Sequence, residues 1–316
     1  MTFKINKDVA LEIERNFVEK LFEDFLYIIG PARSGTRIFA MSIGVNKRLF
    51  RVRMKMRKFE YWGKTDNIDY IIKNMFRIPL ELLYEKVEPD YVEDLKARIS
   101  DAYKDRNYRE ILACKAAVHF IIDSETTDPS KYTHWVMKSN DFLGLSLFKD
   151  ALNKSKYVFI IRNPHSTIMS QTTRMGKYKG LKKNQRFCLD VIRASRYWCH
   201  FSKSIINFRD KYPDDSILIR YEDFIESPES VLNQVFTFTN NKFNNDELSP
   251  MLEQLKCGAT NHPEKYTGIS KKPLNRWSVE MKRHEVALVS LITRSFAKQF
   301  GYHFNDNEYE LTTPML

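Results

Sequence analysis

The run Tyr27-Ile28-Ile29-Gly30-Pro31-Ala32-Arg33-Ser34-Gly35-Thr36-Arg37-Ile38-Phe39 restricts the fold more than any other stretch of the chain. Apolar residues from Phe25 to Ile29 read as a buried strand, and Ile38 to Val45 reads as a helix. Two glycines with GxxxxG spacing join them. Glycine lets the backbone turn tightly enough to bring N–H groups onto a phosphate, and the helix N-terminus adds positive potential. A nucleoside-triphosphate site would continue with Lys and then Ser or Thr, the lysine for the outer phosphates and the hydroxyl for Mg²⁺. Thr36 and Arg37 stand there instead, and the basic residue inside the loop is Arg33. The loop can cradle a 5′-phosphate, yet it lacks the metal ligand and the γ-phosphate lysine. A strand–loop–helix turn that binds nothing would carry the same pattern.

Three further apolar runs, His134–Lys138, Tyr157–Ile161 and Ser216–Arg220, have the length of buried parallel strands, and helical patterns separate them. Phe187, Val191, Ala194, Trp198, Phe201 and Ile205 recur as one helix face would. Ala287, Leu288, Leu291, Ile292 and Phe300 suggest another helix before Gly301. Strands alternating with helices predict an α/β fold, a three-layer parallel sheet with helices on both faces. Right-handed crossovers then set the strand C-termini along one edge, where such sheets bind ligands. Residues 1–316 read as a single domain with a mostly helical insertion at about 45–122. Within it, Lys47 to Lys58 alternates basic and apolar residues, a pattern that suits an amphipathic strand better than a helix.

The formal charge of +11 favours anionic partners such as nucleotides or sulfated and phosphorylated substrates, without choosing among them. Cys114, Cys188, Cys199 and Cys257 form no CxxC pair, which points to reduced, mostly buried thiols rather than a zinc site or disulfide framework. Met1 to Lys20 lacks the apolar core of a signal peptide, and the longest apolar runs are strand-sized. The chain is therefore expected to be soluble and cytoplasmic, with no membrane span.

A second motif repeats the logic of the first. A strand ending in Arg162 leads through Asn163 and Pro164 into a helix, and Ser170 follows eight residues after the arginine. Proline fits the first helical turn, and the spacing lets a guanidinium fork and a hydroxyl converge on one anion. Taken alone, the pair could equally be an arginine beside a local carboxylate and an ordinary helix serine.

Together the two motifs resemble the PAPS-dependent sulfotransferase family, PAPS being 3′-phosphoadenosine-5′-phosphosulfate. The first is similar to its 5′-phosphosulfate loop, and the Thr-Arg ending is closer to the heparan sulfate 3-O-sulfotransferase branch. The second resembles its 3′-phosphate motif. The resemblance implies that Arg33, Ser34, Gly35, Thr36 and Arg37 hold the 5′-phosphate and sulfate, and that Arg162 and Ser170 hold the 3′-phosphate. It implies PAPS as co-substrate, PAP (adenosine 3′,5′-bisphosphate) as product, and no metal. The segment Tyr221-Glu222-Asp223-Phe224 is similar to a later family segment, which makes Tyr221 a candidate purine contact and leaves Glu222 and Asp223 structural. Lys271 and Lys272 fall where the family carries a basic loop over the nucleotide, with Arg276 close behind.

For catalysis, the resemblance implies Arg33 for the leaving group and Lys138, at a strand end, near the reacting atoms. Asn140 occupies the position of the base in the small-molecule branch and cannot serve. Glu60, in Glu60-Tyr61-Trp62, is the candidate base by likeness to glycan-modifying members, with Asp141 second. His134 stands about 13 Å from Lys138 along its strand; His119 reads as a core histidine and His165 as a helix-surface residue. The implied activity is sulfuryl transfer to an acceptor hydroxyl or amine, with carbohydrate and anionic acceptors among the candidates, the insertion on the acceptor side and no nucleic acid expected. The rival readings are a P-loop phosphotransferase acting on a small metabolite and a non-enzymatic polyanion-binding protein, whose affinity would depend steeply on salt.

Overall fold

The computed structural model describes residues 4–21, 25–52, 67–70, 72, 80–105, 107–123, 131, 132, 134–140, 149, 154–175, 183–240, 244–256 and 272–304. Five strands hydrogen-bond in the order β2-β3-β1-β4-β5: β1 Phe25–Ile29, β2 Leu49–Val52, β3 His134–Ser139, β4 Lys156–Ile161 and β5 Ser216–Arg220. They form the expected α/β parallel sheet with helices around it. Two compact units divide the chain, Met1–Ile28 with Lys47–Tyr157 and Ile29–Asn46 with Val158–Leu316.

In the first unit, β2 runs parallel to β3 with Leu49 opposite His134 and Val52 opposite Met137. This strand lies inside the 47–58 stretch whose alternation predicted one. Its helices are α1 (Lys7–Leu21), α3 (Ile68–Tyr70), α4 (Leu80–Lys86), α5 (Pro89–Lys104) and α6 (Tyr108–Asp123). Pro89 opens α5, where its missing N–H leaves no intrahelical bond unmade. Tyr91, Val92, Leu95 and Ile99 bury one face of that helix at three- and four-residue steps. Glu14 of α1 is buried, and a charge there must be matched. Arg98 supplies Nη1 at 2.6 Å and Nη2 at 2.8 Å, and the Tyr91 hydroxyl donates at 3.0 Å. His119 is buried on α6 with Nδ1 3.6 Å from Asp123, the core histidine its spacing predicted. Burial pushes the Cys114 thiol well above its ordinary value, and Cys114 and Cys199 are both free thiols.

The second unit holds α2 (Thr36–Ile43), α7 (Pro164–Met175), α8 (Lys183–Lys211), α9 (Tyr221–Glu226), α10 (Pro228–Phe238), α11 (Asn245–Lys256), α12 (Lys272–Glu280) and α13 (Arg283–Gln299). Val191, Ala194, Trp198, Phe201 and Ile205 are buried along α8, as the apolar repeat required. Arg209 and Lys211 in its last turn complement the helix dipole. Trp198 does more than fill space: its Nε1–H donates to the Arg162 carbonyl at 3.2 Å, fixing the backbone where β4 ends. On α13 the expected face is out of phase. Val286, Val289, Ser290, Thr293 and Ala297 are buried, while Leu291 is 80% exposed. The helix begins with Glu285 accepting from the Lys282 N–H at 2.9 Å, and valines with small and polar residues, not the leucines, face inward. No helix among the described residues is long and apolar enough to cross a membrane.

Candidate active site

The glycine loop and the arginine motif meet in the second unit. β1 ends at Ile29, and Gly30 follows with no room for a side chain: a Cβ there would stand 2.2 Å from the Ile160 carbonyl oxygen of β4. The loop then turns through two left-handed residues, Arg33 at φ 75° and Gly35 at φ 95°. Glycine tolerates that conformation, whereas arginine adopts it at a cost of about 1–2 kcal/mol. Left-handed residues alternating with others in a tight turn can aim successive backbone N–H groups at an anion, as in an anion-binding nest. Ser34 is buried, and its hydroxyl donates to the Pro31 carbonyl at 2.7 Å, which closes the turn from inside. Gly35 caps α2 with no side chain, so the first N–H groups of that helix face the loop without a competing cap. Thr36 is buried in the first turn of α2, and Arg37 is exposed beside it.

Arg33 reaches across to the second motif. Its Nε donates to the Ser170 hydroxyl at 2.9 Å, although 137 residues separate them in sequence. Arg162, only 7% exposed, donates from Nη1 to the Arg33 carbonyl at 3.3 Å. Gln171 adds Nε2 to the Ala32 carbonyl at 2.7 Å. The arginine motif thus grips the loop backbone from one side at two points. Asn163 caps α7, its Oδ1 accepting the Ser166 N–H at 3.2 Å, and Pro164 takes the first helical position as expected.

Tyr221 is the third wall. Its ring lies against Gly35, where a Cβ would come within 2.1 Å of Cδ2, and the Arg162 guanidinium sits 4.7 Å above its centroid. Burial pushes the Tyr221 hydroxyl up and pulls the Arg162 guanidinium down, the latter helped by the like charge of Arg276. A guanidinium keeps its proton in proteins, so this lowering means a desolvated cation rather than a neutral one. Two arginines, a serine hydroxyl and a helix N-terminus converging in this way suit an anion with several oxygens. Replacing Gly35 with alanine should therefore cost about 2–4 kcal/mol of stability through overpacking and backbone strain. A thermal melt of Gly35→Ala beside the parent checks it.

Of the twelve expected residues, Arg33, Ser34, Gly35, Thr36, Arg37, Arg162, Ser170 and Tyr221 fall within this one unit, as do Lys271 and Lys272. Lys272 opens α12, while Lys271, Glu60 and Asp141 lie outside the described residues. Lys138 belongs to the first unit, half-buried on β3, and its amine donates to the Asn140 side chain.

His165 is a correction. It is fully buried rather than on the helix surface, stacked on Trp277 at 4.4 Å, with Nε2 2.9 Å from the Ser290 hydroxyl. Residue 165 turns inward because α12 and α13 pack on α7, and no local spacing announces that. Burial lowers its pKa from 6.5 to about 4. The folded protein thus binds this proton less readily than the unfolded chain, and stability present above pH 6.5 is lost as pH falls toward 4. The loss amounts to about 3 kcal/mol. Glu222, whose carboxyl burial raises, has the opposite sign above its ordinary range, so the informative quantity is a difference. The pH dependence of unfolding between 6.5 and 4 should be shallower in His165→Gln than in the parent.

A model of the sulfotransferase family matches residues 26–245. A comparison with curated protein sequences finds no match. Among solved structures, the chain is similar to the sulfotransferase domain from the Synechococcus PCC 7002 olefin synthase, at 15% identity over 90% of this chain and 96% of that one, with a TM-score of 0.56. It is also similar to the sulfotransferase domain from the curacin biosynthetic pathway, at 16% identity over 90% of this chain and 99% of that one, with a TM-score of 0.56. At these identities the likeness is one of fold.

Proposed function

Because the chain belongs to the sulfotransferase family, we propose that it moves a sulfuryl group from PAPS to an acceptor hydroxyl or amine and releases PAP. The observation that carries this reading is the meeting of the two motifs: Arg33 Nε on Ser170 Oγ at 2.9 Å, and Arg162 Nη1 on the Arg33 carbonyl at 3.3 Å. A donor with phosphates at both ends of its ribose needs two anion grips at a fixed separation. A loop at a helix N-terminus and a buried arginine backing that loop supply them.

Residues Arg33 to Arg37 are assigned to the 5′-phosphosulfate, Arg162 and Ser170 to the 3′-phosphate, and Tyr221 to the purine side. Lys271 and Lys272 are assigned to a basic cover over the nucleotide. In the transfer, the acceptor oxygen or nitrogen attacks sulfur opposite the bridging oxygen of the 5′-phosphate. The new bond to sulfur forms as that S–O bond breaks, the acceptor proton passes to a base, and the electron pair leaves on the phosphate of PAP. Arg33 is assigned to stabilise that developing charge, with Lys138 as its proposed second. Glu60 remains the proposed base.

The test is transfer of labelled sulfur from PAPS to a panel of alcohols, phenols, sugars and amines with chelator present. The expected result is one PAP released per labelled product. Intact, folded protein that transfers no label and does not bind PAP would overturn the proposal.

A further inference from the structure

The reaction as proposed makes no use of the most deeply buried carboxylate beside the site. Glu222 is 2% exposed and belongs to the second residue of α9, directly after Tyr221. Its Oε1 accepts the Asn163 N–H at 3.0 Å, and its Oε2 accepts the Tyr302 hydroxyl at 2.6 Å. Asn163 in turn caps α7 through Oδ1. Tyr302, fixed just past the left-handed Gly301, carries the Arg220 guanidinium 4.9 Å above its ring. One side chain therefore ties three pieces of chain. They are the end of β4 that presents Arg162, the short helix that presses Tyr221 on Gly35 and Arg162, and the segment after α13.

Resting on the PAPS reading, we propose that Glu222 is a positioning residue for the donor nucleotide. It sets Arg162 and Tyr221 relative to the loop through hydrogen bonds to Asn163 and Tyr302, and it touches no ligand itself. An acidic side chain is an unexpected choice beside an anion site, because its charge opposes the phosphate. Burial also raises its carboxyl above the ordinary range, which makes the charged form costly there. Positioning accounts for that choice. A carboxylate offers two acceptor oxygens in one rigid plane, the geometry needed to bridge an amide and a hydroxyl that face it from different elements.

The two roles differ in sign, which makes them separable. In Glu222→Gln, the amide oxygen still accepts from Asn163 while the amide nitrogen donates to Tyr302, whose hydroxyl reverses its role. In Glu222→Leu both bonds are gone at similar volume. Calorimetric titration of each full-length protein with PAP reads affinity and the fraction of competent sites together. The expected result is PAP binding by the Gln variant within about threefold of the parent, and about 10- to 100-fold weaker binding by the Leu variant. Tyr302→Phe, which removes one hydroxyl and leaves the carboxylate in place, should weaken binding about 3- to 10-fold and decides the matter if the Leu variant does not fold. Tighter binding by both Glu222 variants would mean that only the charge matters and would overturn the proposal. Parental affinity at reduced site fraction in Glu222→Leu and Tyr302→Phe would also overturn it, since the role would then be stability alone. A folded parent that binds no PAP would instead remove the nucleotide reading beneath it, a result visible before any substitution is made.

Discussion

Arg162→Ala should lower the affinity for PAP by about 100- to 10,000-fold, the loss expected when two charge-assisted hydrogen bonds of about 1.5–3 kcal/mol each disappear. The size follows from where the guanidinium sits. It is 7% exposed, stacked on Tyr221 and bonded to the Arg33 carbonyl, so water does not easily replace it. Its burial already costs free energy in the empty protein, and a doubly charged phosphate returns what desolvation took. Arg162→Lys should fall only about tenfold, because the charge survives and the planar fork does not. AMP, which lacks the 3′-phosphate, should discriminate little between the parent and either variant. Calorimetry with both nucleotides checks all of these, and equal PAP affinity in Arg162→Ala would assign the 3′-phosphate elsewhere.

Arg33 should show the complementary pattern, with turnover falling far more than binding. Removing one donor aimed at developing charge typically costs about 10²–10³ in kcat, or about 3–4 kcal/mol. The Arg33 side chain is exposed, with Nε on the Ser170 hydroxyl at 2.9 Å, so it adds less to ground-state binding than buried Arg162. Its left-handed backbone allows a second comparison. Arg33→Gly relieves the strain of φ 75° and Arg33→Ala does not, yet both lose the guanidinium. The Gly variant should melt higher than the Ala variant, while both lose turnover alike. Steady-state kinetics with PAPS and any accepted substrate would check the split, and a change confined to KM would contradict it.

Much of this site is written locally in the sequence. Phe25–Ile29 and Ser216–Arg220 are strands at the residues expected, since an apolar run bounded by breakers needs no distant partner to be recognised. The Gly35 position is similarly local, because its left-handed turn into a helix favours glycine, whereas Gly30 is demanded by the Ile160 carbonyl of β4. What could not be read depends on contacts across the fold. Glu222 meets partners 59 and 80 residues away in sequence, and Tyr-Glu-Asp gives no hint that its glutamate is buried beside the tyrosine. His165 follows a proline at a helix start, ordinarily an exposed place, and is buried only because α12 and α13 close over it. The phase of α13 was obscured for a related reason. Its inward face carries Ser290 and Thr293, which serve close helix packing, and its exposed Leu291 mimics a core position.

The most direct test of the central claim is calorimetric titration of the unaltered protein with PAP, AMP and ATP in the absence of added metal. PAP carries both phosphates that the Arg33 loop and the Arg162–Ser170 pair are assigned to hold. It should bind at least about 100-fold more tightly than AMP or ATP, matching the loss expected when the Arg162 contact to the 3′-phosphate is removed. Equal binding of the three nucleotides, or binding of ATP alone once Mg²⁺ is supplied, would contradict the assignment and return the loop to phosphotransfer.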